Sequence, residues 1–235
     1  MANPANVRAP SPIDRAFLTN QEGTGTVIFV RHGQQQWPDP KTSVAADWVD
    51  PPLSELGQAQ AECVGRWLAE RPITAVYSSR LKRANDTGKA IASHHGLEVQ
   101  VIDELAEIHM YSELPQDRRA VDVLGEKALG GVWERFVQTQ KWDSYPYTET
   151  SADFRRRVGW AVESAIVDHP GETIVIACHG GVINAYLAEV LGLVPDMFFR
   201  PYHASSHRML FGQGRRVIET LNEDSYLAAE GLLTH

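Results

Sequence analysis

From Thr26 onward, short β-branched runs alternate with segments whose apolar residues recur at helical spacing. That alternation constrains the fold more than any other feature of the chain. Thr26–Val30 and Thr173–Cys178 read as strands buried on both faces, the mark of a parallel sheet. Ser54 is an N-cap for a helix over Glu55–Glu70, in which Leu56, Ala59, Cys63 and Trp67 share a face, and Pro72 stops it. Ile73–Tyr77 and Leu97–Ile102 follow as strands, with a helix over Arg80–His94 between them. Helices over Ala152–Val167 and Val182–Leu191 flank the Thr173–Cys178 strand. Arg208–Phe211 and Arg215–Thr220, joined by Gly212-Gln213-Gly214, predict a closing hairpin. The expected class is α/β: a three-layer αβα domain with a mainly parallel central sheet.

Composition removes several function classes. The formal net charge is −8 and the pI near 5.6, so a basic nucleic-acid surface is not expected. Two cysteines, Cys63 and Cys178, are too few for a disulfide framework or a thiolate zinc site. No apolar run is longer than a strand, so no membrane span is expected, and the first twenty residues lack a signal-peptide core. The expectation is a cytoplasmic protein.

Residues 1–25, rich in Pro, Ala, Asn and Gly, read as a loose N-terminal extension to a single domain over 26–235. Within that domain, residues 109–150 break the alternation and concentrate six aromatics: Tyr111, Trp133, Phe136, Trp142, Tyr145 and Tyr147. Two readings stand side by side: an inserted helical subdomain with its own small core, or a lid whose aromatics shape a substrate pocket.

The chemistry sits at the strand ends. Thr26–Val30 runs into Arg31-His32-Gly33, Ile73–Tyr77 into Ser78-Ser79-Arg80, and Thr173–Cys178 into His179-Gly180-Gly181. Open parallel sheets bind ligands beyond the carboxyl ends of their strands, so Arg31, His32, Arg80 and His179 are expected to converge on one anion. A phosphate suits them, because guanidinium donates in a bidentate fork and imidazolium adds charge. Gly33 and Gly180 let backbone approach closely. No Cys-x5-Arg, Gly-x4-Gly-Lys or Gly-x-Ser-x-Gly pattern offers a competing phosphatase, nucleotide or serine-hydrolase chemistry.

These residues resemble the histidine phosphatase superfamily, whose fold is called phosphoglycerate mutase-like. The resemblance runs through Val27–Gly33 with Trp37, Pro52–Ala61, Val76–Thr87, Leu105–Ile108, Ala177–Gly181 and Leu221–Leu227. It implies that His32 takes the phosphoryl group as a phosphohistidine, that Arg31, Arg80 and His179 hold the non-bridging oxygens, and that Gly33 sits against the nucleophile's ring. It also implies that Glu107 protonates the leaving oxygen, with Glu104, and more weakly Asp103, as internal rivals. The implied activity is hydrolysis of small phosphorylated metabolites to inorganic phosphate, with no metal and no cofactor. A phosphoglycerate-type mutase and a non-catalytic phospho-ligand module are the alternatives. Homodimers are frequent in the family, and the sequence shows no decisive apolar face for one.

Departures from the family pattern narrow this. Gln34 stands where mutases carry Glu after the Arg-His-Gly triplet, and Pro38 follows Trp37 in place of Asn; Gln35 or Gln36 is the substitute amide. These changes leave phosphohistidine chemistry intact and weaken the mutase reading. The remaining candidates read plainly. Cys178 is a buried thiol, and Trp37 is packing, with a substrate contact as the alternative. Lys82 and Arg83 are solvated helix charges, with Arg83 as an alternative contact for a substrate carboxylate. His203 is a substrate or pocket contact where the family usually has Asn, and its spacing to His207 is not taken as a metal pair because no acidic cluster accompanies it.

Overall fold

The computed structural model describes residues 10–19 and 21–234. In chain order the elements are α1 (Pro12–Phe17), β1 (Gly25–Arg31), α2 (Glu55–Leu68), β2 (Ile73–Ser78), α3 (Lys82–Ser93), β3 (Val99–Val101), α4 (Ala120–Leu124), α5 (Glu126–Thr139), α6 (Ser151–Val167), β4 (Thr173–Cys178), α7 (Gly180–Leu191), β5 (Ser206–Gly212), β6 (Arg215–Glu223) and α8 (Ser225–Ala229). The strands form one six-stranded sheet ordered β3-β2-β4-β1-β5-β6. The first four are parallel, and β5 runs antiparallel to both of its neighbours, β1 and β6.

The central strands β1 and β4 have the most apolar sequences because both their faces are covered. Val27, Phe29, Ile174, Ile176 and Cys178 pack against α6 and α7, while Ile28, Val30 and Val175 pack against α2, α3 and α8. Each such side chain contributes about 1.5–3 kcal/mol of burial, so the middle of the sheet is its most constrained part. Register then places the functional residues: Arg31 lies opposite Cys178, and Ser78 lies opposite Ala177. The carboxyl ends of β1, β2 and β4 therefore finish level. No helix of the described residues is long and apolar enough to cross a membrane.

Three local expectations change. Part of the N-terminal extension is ordered: Ser11 and Asp14 form a capping box, Pro12 opens α1, and Leu18 is buried. Residues 1–9 of that extension lie outside the described residues. α3 starts at Lys82 rather than Arg80, because Ser79 N donates to Ala177 O and Ser79 Oγ accepts from Leu81 N, prolonging the extended chain past β2. Finally, the aromatics of residues 109–150 divide. Trp142 and Tyr145 are buried, with Tyr111 and Phe136 against them, and they join the core beneath α6 and α7 rather than forming a separate one. Asp196 anchors this junction, accepting from Trp142 N, Ser151 Oγ and Arg155 Nε. Trp133 and Tyr147 stay exposed.

Candidate active site

His32 sits just beyond β1, where its N–H donates to Cys178 O at 2.9 Å and so prolongs the β1–β4 ladder. Its Nδ1 lies 2.7 Å from Gly33 O, an acceptor only, so the ring proton is assigned to Nδ1. The lone pair is therefore on Nε2, which accepts from Arg83 Nε at 3.3 Å. Burial first, and then the charges of Arg83, His179 and Arg31, hold the His32 imidazole well below its ordinary range. The ring is a neutral base at neutral pH.

Around it stand buried donors. Arg31 donates to Pro201 O at 2.7 Å and to His203 Nε2 at 3.0 Å, while its buried Nε–H has no partner among the described residues. Burial pulls the guanidinium down to about 10, which still leaves it charged at neutral pH. The His179 ring centroid is 5.1 Å from that of His32, and neither of its ring nitrogens has a partner among the described residues. Burial, followed by the charges of Arg83 and Arg31, also lowers His179 well below the usual imidazole value. Unsatisfied buried polar atoms of this kind are rare in folded chains. Here they gather beside one base.

Arg83 corrects the reading of the helix charges. It is 5% exposed, not solvated, and besides His32 it donates to Val49 O at 3.2 Å. Arg80, expected in that place, is instead exposed and lines the mouth of the cavity over His32. The later start of α3 causes the exchange, because it leaves Arg80 in an outward turn and places Arg83 on the buried helical face with Thr87 and Ile91. The signal was in the sequence: Arg83, Thr87 and Ile91 recur at i, i+4, i+8, the spacing of a core-facing stripe.

Glu107 follows the short turn Asp103–Leu105, and its carboxylate accepts from Ile108 N and Gly181 N, each at 3.0 Å. Arg157 on α6 holds that turn by donating to Glu104 O and Ala106 O, and Glu149 binds the same guanidinium through two contacts. Glu107 lines the His32 cavity; Glu104 and Asp103 line only the polar space beside it, which leaves Glu107 as the carboxyl facing His32.

The glycines have separate tasks. Gly33 N donates to Thr87 Oγ1, and a Cβ at Gly33 would lie 2.3 Å from Gly57 O, so Gly33 packs between backbone segments while its carbonyl fixes the His32 ring. A Cβ at Gly181 would lie 2.3 Å from Glu107 Oε1, whereas at Gly180 it would reach only ordinary contact with Arg31 Nε at 3.8 Å. The close approach thus belongs to Gly181. His203 does not line the cavity. It is buried beside both Arg31 and His32, its ring centroid 6.0 Å from that of His32, accepting from Arg31 through Nε2 and donating from Nδ1 to Thr234 Oγ1. Gln35 lines the cavity, as does Trp37, which is 63% exposed and not core packing. Cys178 is buried, with its thiol pushed far up by burial, and no cluster of three metal-ligating side chains occurs among the described residues.

The cavity over His32 holds about 350 Å³, and its charged lining is Arg31, Arg80 and Arg83 against the single carboxylate of Glu107. In a chain of net charge −8 this is a local excess of cations, suited to a compact multivalent anion.

Comparison with known proteins agrees. A family model of the histidine phosphatase superfamily (branch 1) matches residues 27–224. A 2,3-bisphosphoglycerate-dependent phosphoglycerate mutase of Brucella anthropi is 28% identical over 218 residues, covering 88% of this chain and 98% of the mutase. Among solved structures, Bacillus stearothermophilus YhfR superposes with a TM-score of 0.73 at 21% identity, covering 86% of this chain and 99% of YhfR. A mycobacterial glucosyl-3-phosphoglycerate phosphatase superposes with a TM-score of 0.68 at 23% identity, covering 85% and 99%. At these identities the two structures speak for the fold. The family match spans the sheet and every residue gathered around His32, and the chain belongs to the histidine phosphatase superfamily, branch 1.

Proposed function

We propose that the protein is a metal-independent phosphomonoester hydrolase that works through a phosphohistidine on His32. The observation carrying this reading is the setting of His32: Nδ1 lies against Gly33 O, which leaves Nε2 as the nucleophile, turned to Arg83 beside Arg31 and His179. Nε2 attacks phosphorus, the P–O bond to the alcohol breaks, and Glu107 delivers its proton to the departing oxygen. Water then attacks the phosphohistidine, Glu107 takes a proton from it, and inorganic phosphate leaves with His32 restored. Arg31, Arg83 and His179 stabilise the charge on the non-bridging oxygens, and such prearranged donors supply most of the rate in phosphoryl transfer. General acid help to an alkoxide is worth about 10²–10⁴-fold. Arg80, at the mouth, serves as an outer contact for the substrate.

The test is phosphate release from p-nitrophenyl phosphate in EDTA by wild type and His32→Ala. Loss of turnover in the variant supports the mechanism; full activity in it overturns the mechanism.

A phosphoglycerate mutase is the second reading, favoured by the names of the curated relatives. Gln34 in place of Glu speaks against it. Interconversion of 2- and 3-phosphoglycerate with little phosphate release is the result that establishes it. A purely binding module needs neither an open ring nitrogen nor a carboxyl beside it, so the pairing of His32 with Glu107 in one cavity supports the catalytic reading over that one.

A further inference from the structure

The cavity over His32 opens on two sides, and the sides differ. One leads to a polar space of about 540 Å³ lined by Asp103, Glu104, Glu107 and Glu149 together with Arg80 and Arg157; Arg157 and Glu149 are committed to each other, and Arg157 also to two carbonyls. With that pair set aside, three carboxylates against Arg80 leave the space net negative, which disfavours a second anionic group on a substrate. The other side leads to a space of about 490 Å³ that shares Trp37, Ala45, Trp48 and Met110 with the His32 cavity. Trp133 of α5 supplies its far wall. The one charged residue on that wall, Arg119, is bound through two contacts to Asp122 and donates to Lys41 O, so its charge is already met.

This wall is costly unless something covers it. Trp37 and Trp133 are each 63% exposed, Met110 43% and Trp48 40%. Single exposed apolar side chains are ordinary, but four large ones around one cavity are a binding feature. They add little to the core, which is filled in this region by Trp142 and Tyr145. We infer that this cavity receives the alcohol half of the substrate, and that the substrate class is phosphomonoesters of apolar, carbon-rich alcohols rather than sugar or glycerate phosphates. The occupant follows from continuity: Trp37, Ala45, Trp48 and Met110 line both spaces, so a group attached to a phosphoryl on His32 passes over them into the larger apolar one. The inference rests on the phosphatase reading for the word substrate, and on the cavity alone for the apolar subsite.

The test uses non-hydrolysable phosphonates in calorimetry, with turnover measured separately. Octylphosphonate and 1-naphthylphosphonate are expected to bind at least about 10²-fold tighter than methylphosphonate, since each buried methylene is worth about fourfold and burial of three to four carbons is enough. The naphthyl arm tests a flat ring and the octyl arm a chain; either preference supports the subsite. Trp133→Ala is expected to collapse the ratio, whereas general damage to the fold lowers both affinities together and leaves it. Equal binding of all three phosphonates overturns the inference, as does a ratio untouched by Trp133→Ala or a higher kcat/KM for glucose 6-phosphate than for octyl phosphate. Phosphonates binding in the expected order without hydrolysis of any ester sinks the phosphatase reading and keeps the subsite. Hydrolysis without preference does the reverse.

Discussion

Arg83 Nε–H donates to His32 Nε2 across 3.3 Å, while Nδ1 of the same ring is held by Gly33 O, so one guanidinium caps the ring nitrogen that the backbone leaves open. On the proposed mechanism, an arriving phosphoryl group takes over that donor and frees the lone pair in the same movement. This guards the base with a hydrogen bond in place of a proton, which the burial of His32 already disfavours.

Arg83 and Arg80 are therefore expected to separate kinetically. Arg83→Ala should lower kcat on p-nitrophenyl phosphate by about 10²–10³-fold, the usual cost of losing one prearranged donor. Arg80→Ala, at the exposed mouth, should act mainly on KM, by about tenfold or less, as a solvent-screened contact would. Equal effects of the two on kcat would return Arg80 to the inner site.

His203 is expected to act through Arg31, as a positioning residue. His203→Ala leaves one Arg31 N–H buried and unpaired, at about 1–3 kcal/mol. It should lower affinity for inorganic phosphate together with kcat. His203→Gln, whose amide oxygen can accept the same N–H, should restore most of both; equal losses in the two variants would reduce His203 to packing.

The two glycines after His179 should tolerate change very differently. Gly180→Ala meets only ordinary contact at 3.8 Å and should stay active, whereas Gly181→Ala forces the Glu107 carboxylate away from a Cβ 2.3 Å distant. A loss near the about 10²–10⁴-fold value of general acid help is expected for Gly181→Ala. Steady-state rates of the two proteins, compared at equal stability, decide it.

Acid should destabilise the fold from just below pH 6.5. Burial lowers His32 and His179 well below that value and His207 to about 3, so below 6.5 the unfolded chain binds protons that the native chain refuses. Stability contributed by these groups is full above about pH 7 and declines as pH falls, by roughly 1.4 kcal/mol per pH unit for each. Urea unfolding at pH 7.5 and 5.5 without phosphate should show a loss of about 3–4 kcal/mol. Unchanged stability between the two would mean that these imidazoles are charged in the native state.

The alternation of strand and helix, the parallel sheet, and the ends of β1 and β4 with Arg31, His32 and His179 were legible in the sequence. Each is a local matter: β-branched runs, glycine breaks and caps act over a few residues, and the rule that places ligands at strand ends needs only topology. The capping box of Ser11 and Asp14 was equally local and was obscured by the composition around it. What local chemistry left open was which of two arginines three residues apart turns inward, because that depends on where α3 starts, and Ser79 bonding across to β4 sets that start. Tertiary packing likewise decided that His203 backs Arg31, that Gly181 and not Gly180 makes room for Glu107, and that Trp133 is left to a cavity while Trp142 fills the core. These outcomes depend on distances between segments far apart in the chain, which no pattern of neighbouring residues encodes.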